Sequence, residues 1–399
     1  MENQSEFDAD AEAFYLDCVS AAEETAAASP IPAPTLLSGA LIKPDEHYKK
    51  INLHDAFRLK PPKLEFVIPG FLSGTVGNLS AAGGSGKSFL ALEIALSVAC
   101  GSDLFGIVGE DPQARKVLYL ALEDPEEIFV RRLYSMHKHL TESADRCHTL
   151  TDVERELIEA NLTIFPLYGQ GFVIPIRYHD GTIDIHPSMV PVEKFLKANP
   201  DCFVILDTFN RALGAGLKET DNTDMSEVLR ILEGVCRRTR ATIMFVHHVS
   251  KEALRAGASD QSASRGASVL IDNVRFALNL VSLTKEDAAL IGTPEEDRKN
   301  WVRFINSKVN YSEKSDENWL RRYDDGILQA ADIMTNQGGA LEIRVQKAPG
   351  GFRREARPRK TYITPNVVNP DTPPPDYPDE FGPELLPPDD FFEGENLAN

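Results

Sequence analysis

Ala81-Ala82-Gly83-Gly84-Ser85-Gly86-Lys87-Ser88 lies between an apolar run and a long stretch with helical character. Gly83, Gly84 and Gly86 carry no side chain, so the backbone there can curl its N–H groups around a polyphosphate. Lys87 then reaches the β and γ phosphates, and Ser88 can hold Mg²⁺. The helix that follows points its positive end at the same anion. The stretch departs from G-x-x-x-x-G-K-[ST] only where Ala81 replaces the first glycine. The competing reading is a chance glycine-rich turn before a core helix. A strand before and a helix after favour the phosphate loop, with Gly83, Gly84, Ser85, Gly86, Lys87, Ser88 and Phe89 as the nucleotide-binding set.

Outward from this loop, apolar strands alternate with helices. Thr75 to Leu79 reads as the strand entering the loop and Lys87 to Ala99 as the helix leaving it. Lys116 to Leu122, Leu162 to Leu167, Cys202 to Leu206 and Ala241 to Val246 read as further strands. Pro125 to His139, Pro191 to Ala198 and Asp224 to Thr239 read as helices, the last with Val228, Leu229, Leu232 and Val235 on one face. Val269 to Val281 and Trp301 to Ser307 complete the apolar segments. The pattern predicts an α/β fold with a mostly parallel central sheet flanked by helices.

The chain has 399 residues, 42% apolar and 26% charged, which are ordinary globular values. Its net charge of −19 is concentrated at the ends. Residues 361–399 hold nine acids without a Lys or Arg, and residues 1–75 hold twelve acids against six bases; setting both aside leaves −4 for residues 76–360. Acidity at the ends does not exclude a polyanion channel in the middle, because basic patches act within about 10 Å. Residues 1–45 read as a flexible acidic extension and 46–345 as one ATPase domain. Residues 346–399 read as a basic linker followed by a disordered, Pro-rich acidic tail. Five scattered cysteines without a C-x-x-C pair fit a reducing compartment and argue against structural zinc. With neither a secretory signal nor a span long enough for a bilayer, a cytoplasmic location is expected.

Hydrolysis needs a metal-holding carboxylate, a group that activates water and a sensor of the γ phosphate. An α/β sheet places such groups at the carboxyl ends of its strands. Asp207 follows Cys202 to Leu206 in the Walker B manner and would support Mg²⁺ with Ser88. Glu123 ends the strand Lys116 to Leu122 and reads as the general base, with Asp124 before Pro125 as a helix N-cap; the bland alternative is that both acids cap. His247-His248 ends another strand and reads either as a phosphate sensor or as a structural strand end. Loops 211–223 and 249–268 are polar, the second carrying Lys251, Arg255 and Arg265. They read either as a grip on a polyanion or as solvated surface.

With these residues in place the chain resembles the RepA family of hexameric replicative DNA helicases, which have a RecA-like P-loop NTPase fold. The matching segments, in order, are Ile51-Asn-Leu-His-Asp-Ala-Phe57, Gly74-Thr-Val-Gly77, Gly83 to Ser88, Tyr119-Leu-Ala-Leu-Glu-Asp-Pro125, Leu206-Asp-Thr208, His247-His248 with Ser250-Lys251, Ser264-Arg265-Gly266-Ala267-Ser268, Asp272-Asn-Val-Arg275 and Ser307-Lys-Val-Asn-Tyr311. They span roughly residues 50–335. The resemblance implies a homohexameric ring that hydrolyses ATP with Mg²⁺ at each subunit interface. In such a ring Lys87 and Ser88 bind phosphate and metal, Glu123 activates water, Asp207 supports Mg²⁺ and His248 senses the γ phosphate. Arg275 would be the arginine finger, with Arg265 as its alternative. Loops 211–223 and 249–264 would touch single-stranded DNA, and the segment around Ile51 would pack on an adjacent subunit. The acidic tail would either dock a replication partner or merely solubilise. Two other functions stay open: a RecA-like ATPase that binds DNA in recombination without unwinding it, and a nucleotide-dependent regulatory module.

Overall fold

Alternate residues along each strand belong to different cores, which is how one sheet acquires two helical layers. A computed structural model describes residues 50–109, 112–219, 221–249, 270, 273–290, 293–311, 318–335 and 341–345. On one face Tyr119, Phe203, Ile205, Met244 and Val246 pack with Leu90, Ile94 and Phe129. On the other, Leu118, Leu120, Val204, Leu206, Ile243 and Phe245 pack with Val192, Leu229 and Leu232.

The described elements are α1 (Leu53–Arg58), β1 (Phe66–Ile68), β2 (Phe71–Leu72), β3 (Val76–Ala81), α2 (Lys87–Cys100), β4 (Val117–Ala121), α3 (Glu126–Glu142), α4 (Asp152–Asn161), β5 (Leu162–Pro166), β6 (Pro175–Arg177), β7 (Ile183–Ile185), α5 (Met189–Ala198), β8 (Phe203–Asp207), α6 (Asn222–Thr239), β9 (Thr242–His248), β10 (Phe276–Ser282), α7 (Lys285–Leu290), β11 (Trp301–Val309), β12 (Asn318–Arg322), β13 (Leu328–Thr335) and β14 (Leu341–Val345). Ten strands form one sheet in the order β14-β13-β12-β11-β10-β3-β9-β8-β4-β5. From β10 through β5 every pairing is parallel. From β10 to β14 every pairing is antiparallel. In the parallel part the loop-bearing strand β3 is separated from the Asp207 strand β8 by β9. That order, together with the phosphate loop, is a RecA-like P-loop NTPase fold. The antiparallel ribbon is the part the sequence pattern did not announce, apart from Trp301 to Ser307.

Helix α2 follows the loop and is buried on nearly all sides, with Leu90, Ala91, Leu92, Ile94 and Ala95 fully inaccessible. An all-round apolar helix needs cover on both sides. It has the sheet on one side and α4 and β13 beyond it. Helix α6 is amphipathic, with Met225, Val228, Leu229, Leu232 and Val235 inward, and Asp221 caps it by accepting the Thr223 and Asp224 N–H groups. Helix α4, which the periodicity left unread, is announced by Thr151-x-x-Glu154, whose two side chains cap each other's backbone. In β3, Gly77 is required by contact: a Cβ there would lie 2.7 Å from Phe71, whose ring stacks on Phe276 at 4.6 Å. Among the described residues no helix is long and apolar enough to cross a membrane. Residues 1–45, loop 250–264, Arg265 and the acidic tail lie outside the described residues.

Candidate nucleotide site

Four parallel strands deliver their side chains to one edge of the sheet. The loop 82–86 follows β3, Glu123 follows β4, Asp207 ends β8 and His248 ends β9. Gly84 and Gly86 take φ of 72° and 101°, the left-handed region open to glycine at little cost. A Cβ added at Gly83 or Gly84 meets nothing within 4 Å, so open space lies against the loop there. Gly86 caps α2 without any side-chain hydrogen bond, which leaves the first N–H groups of a 14-residue helix facing that space. Ser85 braces the loop from within, its hydroxyl donating to the Ala82 carbonyl at 2.7 Å. Phe89, in the first helical turn, offers its backbone N–H to the same end, while its ring lies beneath the Arg132 guanidinium at 5.3 Å.

The titratable groups are tied together within one chain. Lys87 is buried and its Nζ stands 3.8 Å from Glu123 Oε2. The same Glu123 oxygen is 3.5 Å from His248 Nε2. Asp207 is 3% exposed; one carboxylate oxygen, Oδ2, accepts the Tyr119 hydroxyl at 2.7 Å. Burial pushes the Asp207 carboxyl above its ordinary range, against the pull of the Tyr119 hydroxyl, the nearby Ser88 and the charge of Lys87. Burial likewise pushes the Tyr119 hydroxyl up, helped by the Asp207 charge, so it remains a donor. The other oxygen, Asp207 Oδ1, and the neighbouring Thr208 hydroxyl are buried without a partner among the described residues. Such orphans are rare. An unpaired carboxylate oxygen beside Ser88, at the foot of an uncapped helix, fits Mg²⁺ accompanying a polyphosphate.

One neighbour of the expected set, Asp124, behaves differently from the sequence reading, and another, His247, takes the structural alternative. Asp124 does not cap α3: the N-cap is Pro125, without a side-chain bond, and Asp124 pairs instead with Arg132 at 2.7 Å. His247 points away from His248 and is buried, with its Nδ1 2.6 Å from Glu219 Oε1 in loop 211–223. That loop is braced rather than simply solvated. The Ile174 N–H donates to the Ala212 carbonyl at 2.8 Å, Gly214 sits so close to the Pro175 carbonyl that a Cβ would approach it to 2.3 Å, and Arg177 pairs with Asp224. Arg211 is exposed on it.

Arg275 is not with the others. It precedes β10, whose Phe276 pairs with Gly77 and whose Leu280 pairs with Ala81. Arg275 therefore sits at the amino edge of the sheet, about 16 Å from the loop edge at roughly 3.3 Å per strand residue. Its backbone is held by Val274, buried in the α6-side core, while its own side chain is exposed. It forms no ion pair with another described residue. Arg322, absent from the sequence reading, is beside the loop: its Nη2 donates to the Ser85 carbonyl at 2.5 Å.

Residues 44–253, just over half of the chain, match the AAA_25 family model, described as an AAA domain. Among solved structures, a DnaB-like replicative helicase, solved for its interactions with primase, is similar at 15% identity, covering 69% of this chain and 66% of that one, with a TM-score of 0.44. The KaiC-like protein PH0186 from Pyrococcus horikoshii OT3 is similar at 14% identity over 67% of this chain and 99% of that one, at 0.40. The RadB recombinase is similar at 13% identity over 65% of this chain and 92% of that one, at 0.37. At such scores the RecA-like assignment stands on the strand order and the phosphate loop themselves.

Proposed function

Given that this chain belongs to the AAA_25 family of AAA domains, we propose that it is an ATP-hydrolysing DNA helicase or translocase of RepA type, acting as a ring in the replication of a plasmid, phage or mobile element. The observation that carries this reading is the separation of Arg275 from Lys87 across the sheet. The phosphate edge would supply an anion cradle, a metal carboxylate and a base, and the ammonium beside that base, among the described residues, is that of Lys87. The amino edge presents an exposed arginine that cannot turn back to its own loop. Two copies arranged edge to edge would complete each other, and repetition of that head-to-tail contact gives a ring where its rotation closes.

In this reading the loop N–H groups and Lys87 bind the β and γ phosphates, while Ser88 and Asp207 would hold Mg²⁺, which supplies charge neutralisation between those phosphates. Glu123 orients a water and accepts its proton as the water oxygen bonds to the γ phosphorus. The bond to the bridging oxygen breaks, releasing ADP and phosphate. Lys87 offsets charge on the transferring oxygens, and Arg275 of a neighbouring copy adds the missing cation. His248 touches Glu123 and is placed to register whether phosphate is present. Loop 211–223, joined through Glu219 and His247 to the strand that ends in His248, would carry that state to single-stranded DNA, whose backbone requires cationic contacts such as Arg211 and Lys218.

The test is strand displacement on a forked DNA substrate with ATP. Displacement by the wild type and its loss in Lys87→Ala are expected. ATPase stimulated by single-stranded DNA without displacement would replace the helicase with a recombination-type ATPase. An ATPase indifferent to DNA would replace it with a regulatory module.

A further inference from the structure

The antiparallel ribbon reaches back to the phosphate loop through the turn between β12 and β13, and three contacts pin that turn. Arg322 Nη2 donates to the Ser85 carbonyl. The Leu328 N–H donates to Glu93 Oε1 at 2.7 Å, deep in α2, where Glu93 is fully buried. Asp325 accepts the Ser135 hydroxyl from α3 at 2.8 Å. The packing leaves no slack. A Cβ on Gly86 would lie 2.9 Å from Arg322 Nη1 and 3.1 Å from Leu328 Cδ1, and a Cβ on Gly326 would lie 3.1 Å from the Phe89 ring.

The geometry has a specific consequence for anion binding. A trans peptide points its C=O and N–H in opposite directions. The Ser85 carbonyl and the Gly86 N–H belong to one peptide plane. A guanidinium holding that carbonyl outward aims the Gly86 N–H inward, into the cradle, against the tendency of a glycine-flanked peptide to rotate freely. Arg322 does this from behind the loop, in the same chain, beside the buried Glu93, whose carboxyl burial pushes well above its ordinary range.

We propose that Arg322 is a positioning residue for the phosphate loop: by holding the Ser85 carbonyl it fixes the peptide whose N–H receives the nucleotide's β phosphate. This couples the ribbon β11–β14 to nucleotide affinity rather than to chemistry. The inference rests only on the nucleotide-binding part of the proposed function and is tested without DNA.

The experiment measures equilibrium binding of fluorescent ADP and of a fluorescent non-hydrolysable ATP analogue, with Mg²⁺, to the full chain and its variants, alongside thermal melting without nucleotide. Because the lost contact is a charge-assisted hydrogen bond, Arg322→Ala should weaken both nucleotides by the same factor, about tenfold. Arg322→Lys, which keeps one charged donor, should recover part of the loss. Melting without nucleotide should fall only modestly, because the Leu328–Glu93 and Asp325–Ser135 contacts still pin the turn. Equal affinities in wild type and Arg322→Ala would overturn the proposal. So would a loss confined to the triphosphate, which would make Arg322 a direct γ-phosphate contact. If the alanine variant does not fold, Arg322→Lys is read by the same criteria, with a smaller equal loss expected. Wild-type protein that binds neither nucleotide would sink the nucleotide reading itself, a result distinct from either of these.

Discussion

The two edges of the parallel sheet are opposites in construction. At the carboxyl edge Lys87 and His248 both lie within 3.8 Å of Glu123, Tyr119 donates to Asp207, and the charge of Lys87 acts on Asp207. At the amino edge Arg275 stands exposed and, among the described residues, forms no ion pair. A preorganised edge can stabilise charge because its dipoles need not rearrange at the moment of reaction. A solitary arginine stabilises nothing until something is brought to it. In the proposed reading, half of a catalytic constellation on each side would make hydrolysis conditional on assembly.

The largest effect is expected where the edges meet. Arg275→Ala should keep nucleotide affinity and lose turnover by a factor on the order of 10³. Mixing it with Lys87→Ala, itself inactive, should restore a fraction of the turnover, because an interface between the two holds one intact loop and one intact arginine. Steady-state turnover of Arg275→Ala equal to wild type would erase the contrast between the edges. Glu123→Gln acts wholly within the carboxyl edge. It should lower turnover about 10²-fold at unchanged nucleotide affinity, and no mixture should make its own site active. Recovery of activity at that variant's own sites would mean that another group takes the proton.

The smallest effect is on stability and sharpens the account of Asp207. Its folded-state pKa is raised, chiefly by burial, so its contribution to stability is present below the ordinary carboxylate range and is lost as pH rises through the folded value. At neutral pH a buried, half-unpaired carboxylate is a cost that Mg²⁺ would relieve if held there as proposed. Asp207→Asn should therefore abolish turnover yet unfold at higher denaturant than the wild type in the absence of Mg²⁺, by about 1 kcal/mol. The advantage should shrink towards pH 4 and on adding Mg²⁺ with nucleotide. A variant less stable than wild type at neutral pH would show that Tyr119, Ser88 and Lys87 already satisfy the charge.

Much of the carboxyl edge was legible because each of its groups follows an apolar strand at once: Glu123 after β4, Asp207 at the end of β8, His248 at the end of β9. A parallel sheet brings such strand ends together whatever the intervening loops do. The antiparallel ribbon was less legible. Trp301 to Ser307 reads as apolar, but Asn318–Arg322 and Leu328–Thr335 mix polar and apolar residues and offer no long run. The Thr151–Glu154 capping box was a readable signal for α4 that apolar periodicity alone passes over.

Chain order settled what depends on neighbours along the backbone: the glycine conformations that open the loop, the two-residue alternation that makes one sheet with two cores, and the helix that starts at Lys87. Folding in space alone decided which groups touch. Tyr119 reaches Asp207 across 88 residues and Arg322 reaches Ser85 across 237. Asp124 leaves a helix end for Arg132, and Arg275 falls on the far edge from Lys87. Local rules act over a few bonds, whereas a hydrogen bond or an ion pair depends only on distance through space, and that distance exists only once the sheet has closed.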